Sequence, residues 1–461
     1  MTIHNSMSRT ALWFRSLLLP DGWADGVRLV IRDGRIETLV KDAPAEAGDE
    51  RHEIGLPGLP NLHSHAFQRG MAGLTEKRGA TADSFWTWRE AMYRFVDHMG
   101  PEEVEAIAAQ TFLEMLESGF TRVGEFHYVH HASDGTPYAD ICELAARIAA
   151  AAGETGIALT LLPVFYLHAG FGGLPAAPGQ RRFINDIDRY GRLIDASRNS
   201  VSSLSGARVG IAPHSLRAAT PAEILEILPL ANGGPVHIHV AEQVKEVEDC
   251  VGWSGKRPVE LLLDRLPVDE HWCLVHATHV TEAESAGIAA RGAVVGLCPI
   301  TEANLGDGLF PAQAFMERGG RFGVGSDSNV LIDAAEELRL LEYGQRLSLR
   351  TRNAMARPST PSVGRSLFDS ALQGGAQALG AASGLAAGQD ADIVSLAADD
   401  IALAYRHHDQ WLDAWIFTGG RRTVDCVWRA GRKLVEGGRH IHRDAIGRRY
   451  RKALAKVLQT S

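Results

Sequence analysis

An α/β fold, a TIM (β/α)8 barrel with a small β-sandwich domain formed from both termini, is the architecture that the sequence predicts. Three observations predict it. The middle of the chain alternates apolar strand-like phrases with helix-like stretches, these phrases number eight, and both ends of the chain are β-rich.

The N-terminal end reads as a hairpin, with Val27 to Arg32 and Arg35 to Val40 flanking the turn signal Asp33-Gly34. A similar phrase returns near the other end, where Asp392 to Leu396 and Val424 to Val435 read as strands, the latter around Ala430-Gly431. We therefore assign residues 1–55 with 385–440 to a composite small β domain, 56–384 to the barrel and 441–461 to a C-terminal helix.

Barrel strands are expected near 56–62, 122–128, 157–165, 209–213, 236–240, 273–277, 293–298 and 322–325, with helices such as 102–118, 221–231 and 281–290 between them. The long gaps after His65 and Phe165 read as insertions over the barrel mouth, where loops carry substrate contacts. The basic stretch Arg439 to Lys456 reads as a solvated terminal helix.

Composition narrows the function. With 45% hydrophobic and 22% charged residues the chain suits a large core, and its net charge of -9 gives no overall attraction to nucleic acid or anionic membrane. No run of eighteen apolar residues occurs, and Met1 to Thr10 lacks the apolar core of a signal peptide, so a cytoplasmic enzyme of small metabolites is expected. Five cysteines without a CxxC pair indicate neither a disulfide framework nor a cysteine zinc site, and they are expected to be reduced and mostly buried.

The predicted strand ends hold the chemistry. The first ends in His63-Ser-His65, the fifth in His237-Ile-His239-Val-Ala-Glu242, the sixth in His276 and the eighth in Ser326-Asp327-Ser328. A parallel barrel points all these ends to one mouth, where three histidines and an aspartate can ligate one metal and leave a position for water. Residues i and i+2 share a strand face, so His63 and His65 can reach one ion, while His237 and His239 compete for one role. His276 and His279 also fit satisfied core histidines, and Asp327 also fits a helix cap.

These motifs resemble the amidohydrolase superfamily. The HxH pair, His-Val-Ala-Glu, Leu274-Val-His276 and Gly325-Ser-Asp327 carry the resemblance, which is closest to the one-metal branch with an HxxE motif and extends over nearly the whole chain. Within that branch Asn61-Leu-His-Ser-His-Ala-Phe-Gln-Arg-Gly70, Gly124-Glu-Phe-His-Tyr-Val-His130, Ala212-Pro-His-Ser-Leu-Arg217, His237-Ile-His-Val-Ala-Glu-Gln243 and Trp253-Ser-Gly-Lys-Arg-Pro258 are similar to the formimidoylglutamate deiminases.

The resemblance implies zinc-dependent deimination of N-formimidoyl-L-glutamate to N-formyl-L-glutamate and ammonia, a step of histidine degradation. It places one Zn2+ per subunit on His63, His65, His239 and Asp327, although such a site also accepts Fe2+ or Mn2+. It gives Glu242, His276 and Asp327 the proton work. Gln68, Arg89, Tyr128, His214 and Arg217 are implied to bind the dicarboxylate substrate, for which bidentate arginines are suited. A homodimer is expected from the superfamily. Two alternatives stay open: an aminohydrolase acting on a purine, pyrimidine or triazine, and a non-catalytic barrel scaffold. Roles for His237, His279, the 302–307 loop and the basic C-terminal segment are not legible.

Overall fold

The computed structural model describes residues 9–77 and 85–459. Residues 1–8, most of the stretch Met1 to Thr10, and 78–84 of the first insertion lie outside the described residues.

Eight parallel strands form the barrel: β1 (Leu59–Ser64), β2 (Phe120–His127), β3 (Ala158–Phe165), β4 (Arg208–Val209 continued by Ala212–Pro213), β5 (Val236–Val240), β6 (Trp272–His276), β7 (Val294–Leu297) and β8 (Arg321–Val324). Most of their residues are buried on both faces, which is why they read as near-continuous apolar runs with no alternation. The first four and the last four strands make two curved sheets. Parallel bridges join them, Ile211 to Val236 and Ser215 to His239 on one side and Ser64 to Asp327 on the other. Three of the residues that close the barrel, Ser64, His239 and Asp327, therefore belong to the predicted site or adjoin it.

The intervening helices begin where their caps dictate. Thr281 Oγ1 accepts the Glu284 N–H at 3.2 Å, while the Glu284 side chain accepts the Thr281 N–H at 2.7 Å, so Glu282–Ala290 starts on a reciprocal capping box. The expected helix at 221–231 is α-helical over Pro221–Ile227 and tightens to a 3-10 turn over Leu228–Ala231, where Pro229 has no N–H to continue the ladder.

Both ends of the chain build one eight-stranded, sandwich-like sheet. Glu50–Pro57 joins the two halves, running antiparallel to Ile393–Leu396 with Ile54 opposite Leu396. Leu12, Phe14, Val27, Leu29, Ile393 and Trp428 fill its core. Asp33 and Gly34 both lie at positive φ (51° and 84°), the conformation that a tight hairpin needs and that the Asp-Gly pair signalled.

The C-terminal helix, Arg443–Gln459, departs from the solvated helix expected. It lies on the helix Pro101–Glu117, with Ile446 and Val457 fully buried and Ala453 nearly so. Its basic residues face acidic ones: Arg443 pairs with the buried Glu117, Lys456 with Glu103 at 2.7 Å and Arg449 with Glu154. Charge density concealed an apolar stripe of only a few residues. All five cysteines are buried and free. Among the described residues no helix is long and apolar enough to cross a membrane.

Candidate active site

At the C-terminal ends of the barrel strands, His63, His65, His239 and Asp327 converge, each bringing one ligand atom into a common group. His63 Nε2 lies 3.2 Å from His65 Nε2 and 3.0 Å from His239 Nε2, while Asp327 Oδ1 lies 3.4 and 3.3 Å from the first two. Ligands roughly 2.1 Å from a tetrahedral ion are roughly 3.4 Å apart, so the spacing matches one shared cation.

The hydrogen positions point the same way. His65 Nδ1 donates to the Phe126 carbonyl at 2.9 Å and His239 Nδ1 to the His214 carbonyl at 3.0 Å. Each neutral ring is thereby left with a lone pair on Nε2, aimed at His63. At most one of the two contacts to His63 can be a hydrogen bond, whereas a cation at the centre satisfies all three nitrogens. Burial holds His63 unprotonated, pushed down to about 3, and lowers His65 and His239 as well, which is the state in which imidazole ligates.

Backbone geometry is specialised here. Ala241, His276, Ala277, Asp327 and Asn329 all have positive φ, between 44° and 66°, at the ends of β5, β6 and β8. For non-glycine residues this costs about 1–3 kcal/mol each and tends to mark functional sites. Gly325 allows β8 to pass close to β1, because a Cβ there would meet the His63 backbone oxygen at 2.6 Å.

Asn329 then fixes the loop. Its amide nitrogen donates to the carbonyls of Asp327 at 2.9 Å and His65 at 3.1 Å, and its oxygen accepts from Ser326, which in turn accepts from Asn61 at 2.6 Å. Asn61 and Asn329 were not among the sequence candidates. Their positions beside the histidine pair and beside Ser326-Asp327-Ser328 are the only signal the chain offers.

His237 and His239 part company by height in the barrel. Both point inward, but His237 lies two residues, roughly 6.6 Å, below the mouth. There it donates from Nε2 to the Ala378 carbonyl at 2.7 Å and is fully buried. His279 stays out of the ligand group: its backbone N–H donates to Ala241, and its carbonyl accepts from Arg257 at 2.5 Å.

Glu242 and His276 sit beside the ligand group. Glu242 Oε1 lies 3.8 Å from His276 Nε2, which is also 3.7 Å from Asp327. Burial pushes Glu242 up to about 7, against the pull of His276 and Arg217. Burial opposes charge on His276, but Glu242 and Glu302 outweigh it and raise the imidazole to about 10. Glu302 accepts from His276 Nδ1 at 3.2 Å and from the Cys298 N–H at 2.9 Å, which gives the 302–307 stretch a role that the sequence left open. That stretch is mostly helical and not a loop, because Glu302 belongs to the helix Pro299–Leu305, and just past its end Asp307 accepts from Gln243, the residue after Glu242.

All five expected substrate residues, Gln68, Arg89, Tyr128, His214 and Arg217, line one cavity with His65, His239 and Asp327 of the ligand group. Gln68 donates to Tyr128 Oη at 2.8 Å, and its own amide oxygen is buried without a partner. Arg217 is 9% exposed, with Nη2 only 3.7 Å from Glu242 and 3.9 Å from Glu246. Arg89 lies over the Trp86 ring at 4.5 Å. Among the described residues both arginines carry a buried Nε without an acceptor, so each has bonding capacity left for a ligand.

Comparison with known proteins identifies the family. The model of the amidohydrolase family matches residues 54–434, and that of the formimidoylglutamate deiminase HutF N-terminal domain matches residues 10–53. The chain belongs to the amidohydrolase family. This amidohydrolase is 51% identical over 452 residues to formimidoylglutamate deiminase of Pseudomonas aeruginosa, covering 97% of this chain and 100% of the relative. It is 27% identical to a 5-methylthioadenosine/S-adenosylhomocysteine deaminase of Natronomonas pharaonis, over 82% of each chain. The crystal structure of an amidohydrolase from Brucella melitensis superposes with a TM-score of 0.95 at 55% identity, covering 97% of this chain and 100% of that one. A zinc-bound adenosine deaminase from Xanthomonas campestris shares the fold, with a TM-score of 0.81 at 22% identity and 98% coverage of both chains.

Proposed function

We propose that this amidohydrolase converts N-formimidoyl-L-glutamate and water to N-formyl-L-glutamate and ammonia, as in histidine degradation. The observation that carries the reading is a single cavity whose walls carry three members of the cation donor set, His65, His239 and Asp327, together with Glu242, His276, Arg89 and Arg217. A substrate with a hydrolysable C–N bond at one end and two carboxylates at the other suits those walls. A neutral purine or triazine ring offers no carboxylate to the Nε–H groups that Arg89 and Arg217 leave unpaired among the described residues. The relative in Pseudomonas aeruginosa, nearly twice as similar as the nucleoside deaminase, supports the same choice.

In this reading one Zn2+ per subunit is held by His63, His65, His239 and Asp327, and Fe2+ or Mn2+ suits the same ligands. When bound, the ion supplies Lewis acidity that makes water nucleophilic near neutral pH. The chain's own groups do the rest. Asp327 accepts a proton from the attacking water, His276 orients that water, and Glu242 carries a proton to the nitrogen that leaves as ammonia. Burial raises the Glu242 carboxyl toward the neutral range, which suits a group that both takes and gives a proton. Gln68, Tyr128, His214 and the two arginines hold the glutamate moiety.

A direct assay tests the proposal: ammonia and formamide are measured after incubation with N-formimidoyl-L-glutamate, guanine, cytosine or adenosine. Ammonia from the first substrate alone is expected, and release of formamide or preference for a ring sinks the reading. The reading also includes a cytoplasmic homodimer, consistent with strongly exposed Leu347, Ile401 and Tyr405, and light scattering checks the assembly.

A further inference from the structure

Beyond the residues already placed, Gln180 sits in the second insertion, 2% exposed, with both ends of its amide engaged. Its Oε1 accepts the Ala177 N–H at 2.7 Å, so its nitrogen must be the atom that faces Tyr166 Oη at 2.7 Å and Tyr93 Oη at 3.4 Å. An amide nitrogen only donates. Both phenol oxygens are therefore acceptors toward Gln180, and each must send its own proton elsewhere. One phenol can donate to the other. The second proton meets no acceptor among the described residues, and both side chains line the cavity that holds Arg89 and Arg217.

The location identifies the acceptor. Tyr166 packs on His214 with ring centroids 4.6 Å apart, and His214 packs on the ligand His239 at 4.9 Å, so Tyr166 lies two ring contacts away from the metal group. Arg89 approaches from the same side, its guanidinium carbon 5.7 Å from the Tyr93 ring. In an N-formimidoyl amino acid the α-carboxylate stays close to the reacting carbon, whereas a γ-carboxylate reaches farther along the cavity. We infer that Tyr166 and Tyr93, polarised by Gln180, form a donor subsite that selects the side-chain γ-carboxylate of the substrate. The inference rests on the deiminase reading and adds three specificity residues to it. Gln180 is a positioning residue, because it acts only through the phenols.

Two variants and two substrates test it. Tyr166→Phe breaks the pair of phenols, and Gln180→Glu keeps the acceptor for Ala177 but draws the phenol proton that faces the cavity toward its own carboxylate. Each is compared on N-formimidoyl-L-glutamate and on N-formimidoyl-L-2-aminobutyrate, which lacks the γ-carboxylate. A hydrogen bond to a charged group corresponds to roughly 10- to 100-fold, so KM for the dicarboxylate should rise by about that factor with metal content unchanged. On the analogue, kcat/KM should stay within about twofold of wild type. Equal losses on both substrates would show a merely structural role and overturn the subsite, as would an unchanged KM for the dicarboxylate. Binding of N-formyl-L-glutamate, followed by thermal shift, separates this inference from the assignment of the reaction. If wild type releases no ammonia but both variants still weaken that binding, the subsite stands and the reaction falls. If the variants bind N-formyl-L-glutamate as wild type does, the subsite falls whatever the turnover.

Discussion

Glu246 accepts the backbone N–H of Glu242 at 3.1 Å from a position that is wholly buried. It also accepts the Ala241 N–H at 3.3 Å and lies 3.9 Å from Arg217. One carboxylate thus holds the strained turn after β5, the proton-carrying glutamate and a substrate arginine in register. Glu246→Ala should strand two buried N–H groups, at about 1–3 kcal/mol each, and release Glu242. We expect kcat to fall more than about tenfold, with metal retained, read from steady-state kinetics alongside elemental analysis. Wild-type kcat in this variant would mean that Glu242 is held by other contacts.

The two histidines of β5 should separate cleanly. His239→Ala removes a ligand atom and is expected to abolish stoichiometric metal. His237→Ala removes a donor to Ala378 two residues lower and should lower the melting temperature while leaving the metal bound. Metal analysis of both purified variants decides, and loss of metal from His237→Ala alone would reverse the assignment.

Arg217→Ala should cripple turnover of N-formimidoyl-L-glutamate without releasing the metal. A desolvated arginine contact of this kind is worth about 2–5 kcal/mol, and its removal also leaves Glu242 and Glu246 facing each other without a cation. Arg89→Ala, which touches neither carboxylate, should raise KM more than it lowers kcat. Wild-type kinetics in both variants would refute the dicarboxylate assignment.

The buried Glu125 gives stability a pH dependence. Burial pushes its carboxyl up to about 8, against the hydrogen bond it accepts from the Ala66 N–H at 2.7 Å. The folded state then binds one more proton than the unfolded state between about pH 4.5 and 8, so this group's contribution falls as pH rises through that window, by about 1.4 kcal/mol per unit. Glu125→Gln keeps the shape without the proton. Its melting temperature relative to wild type should climb from pH 5 to pH 8, and a constant difference would show that Glu125 ionises normally.

The docked C-terminal helix should matter to stability and not to chemistry. Ile446→Ala opens a cavity against the helix Pro101–Glu117 and is expected to cost about 2–5 kcal/mol in thermal or denaturant unfolding with kcat unchanged. A helix that floated in solvent would show no loss.

What the sequence by itself determined lies where chemistry is local. Eight apolar phrases gave eight barrel strands, because strands buried on both faces leave no polar alternation to blur them. Asp33-Gly34 marked its turn because few residue pairs tolerate two successive positive φ angles. His63, His65, Asp327 and the pair His237 and His239 were legible as candidates because a barrel sends every strand end to one mouth, whatever the separation along the chain.

What only the tertiary structure decided depends on height and depth, which linear spacing does not encode. His237 and His239 share a strand face, and only the level of Ala378 in the barrel tells them apart. Glu246 sat in a run of charges that reads as a solvated surface, yet it is buried because it satisfies two strained backbone N–H groups. The basic terminal helix looked solvated, yet Ile446 and Val457 bury themselves while its cations meet Glu103, Glu117 and Glu154, residues brought near only by folding. Partners distant in sequence set which polar groups can afford burial, and that is a property of the assembled barrel alone.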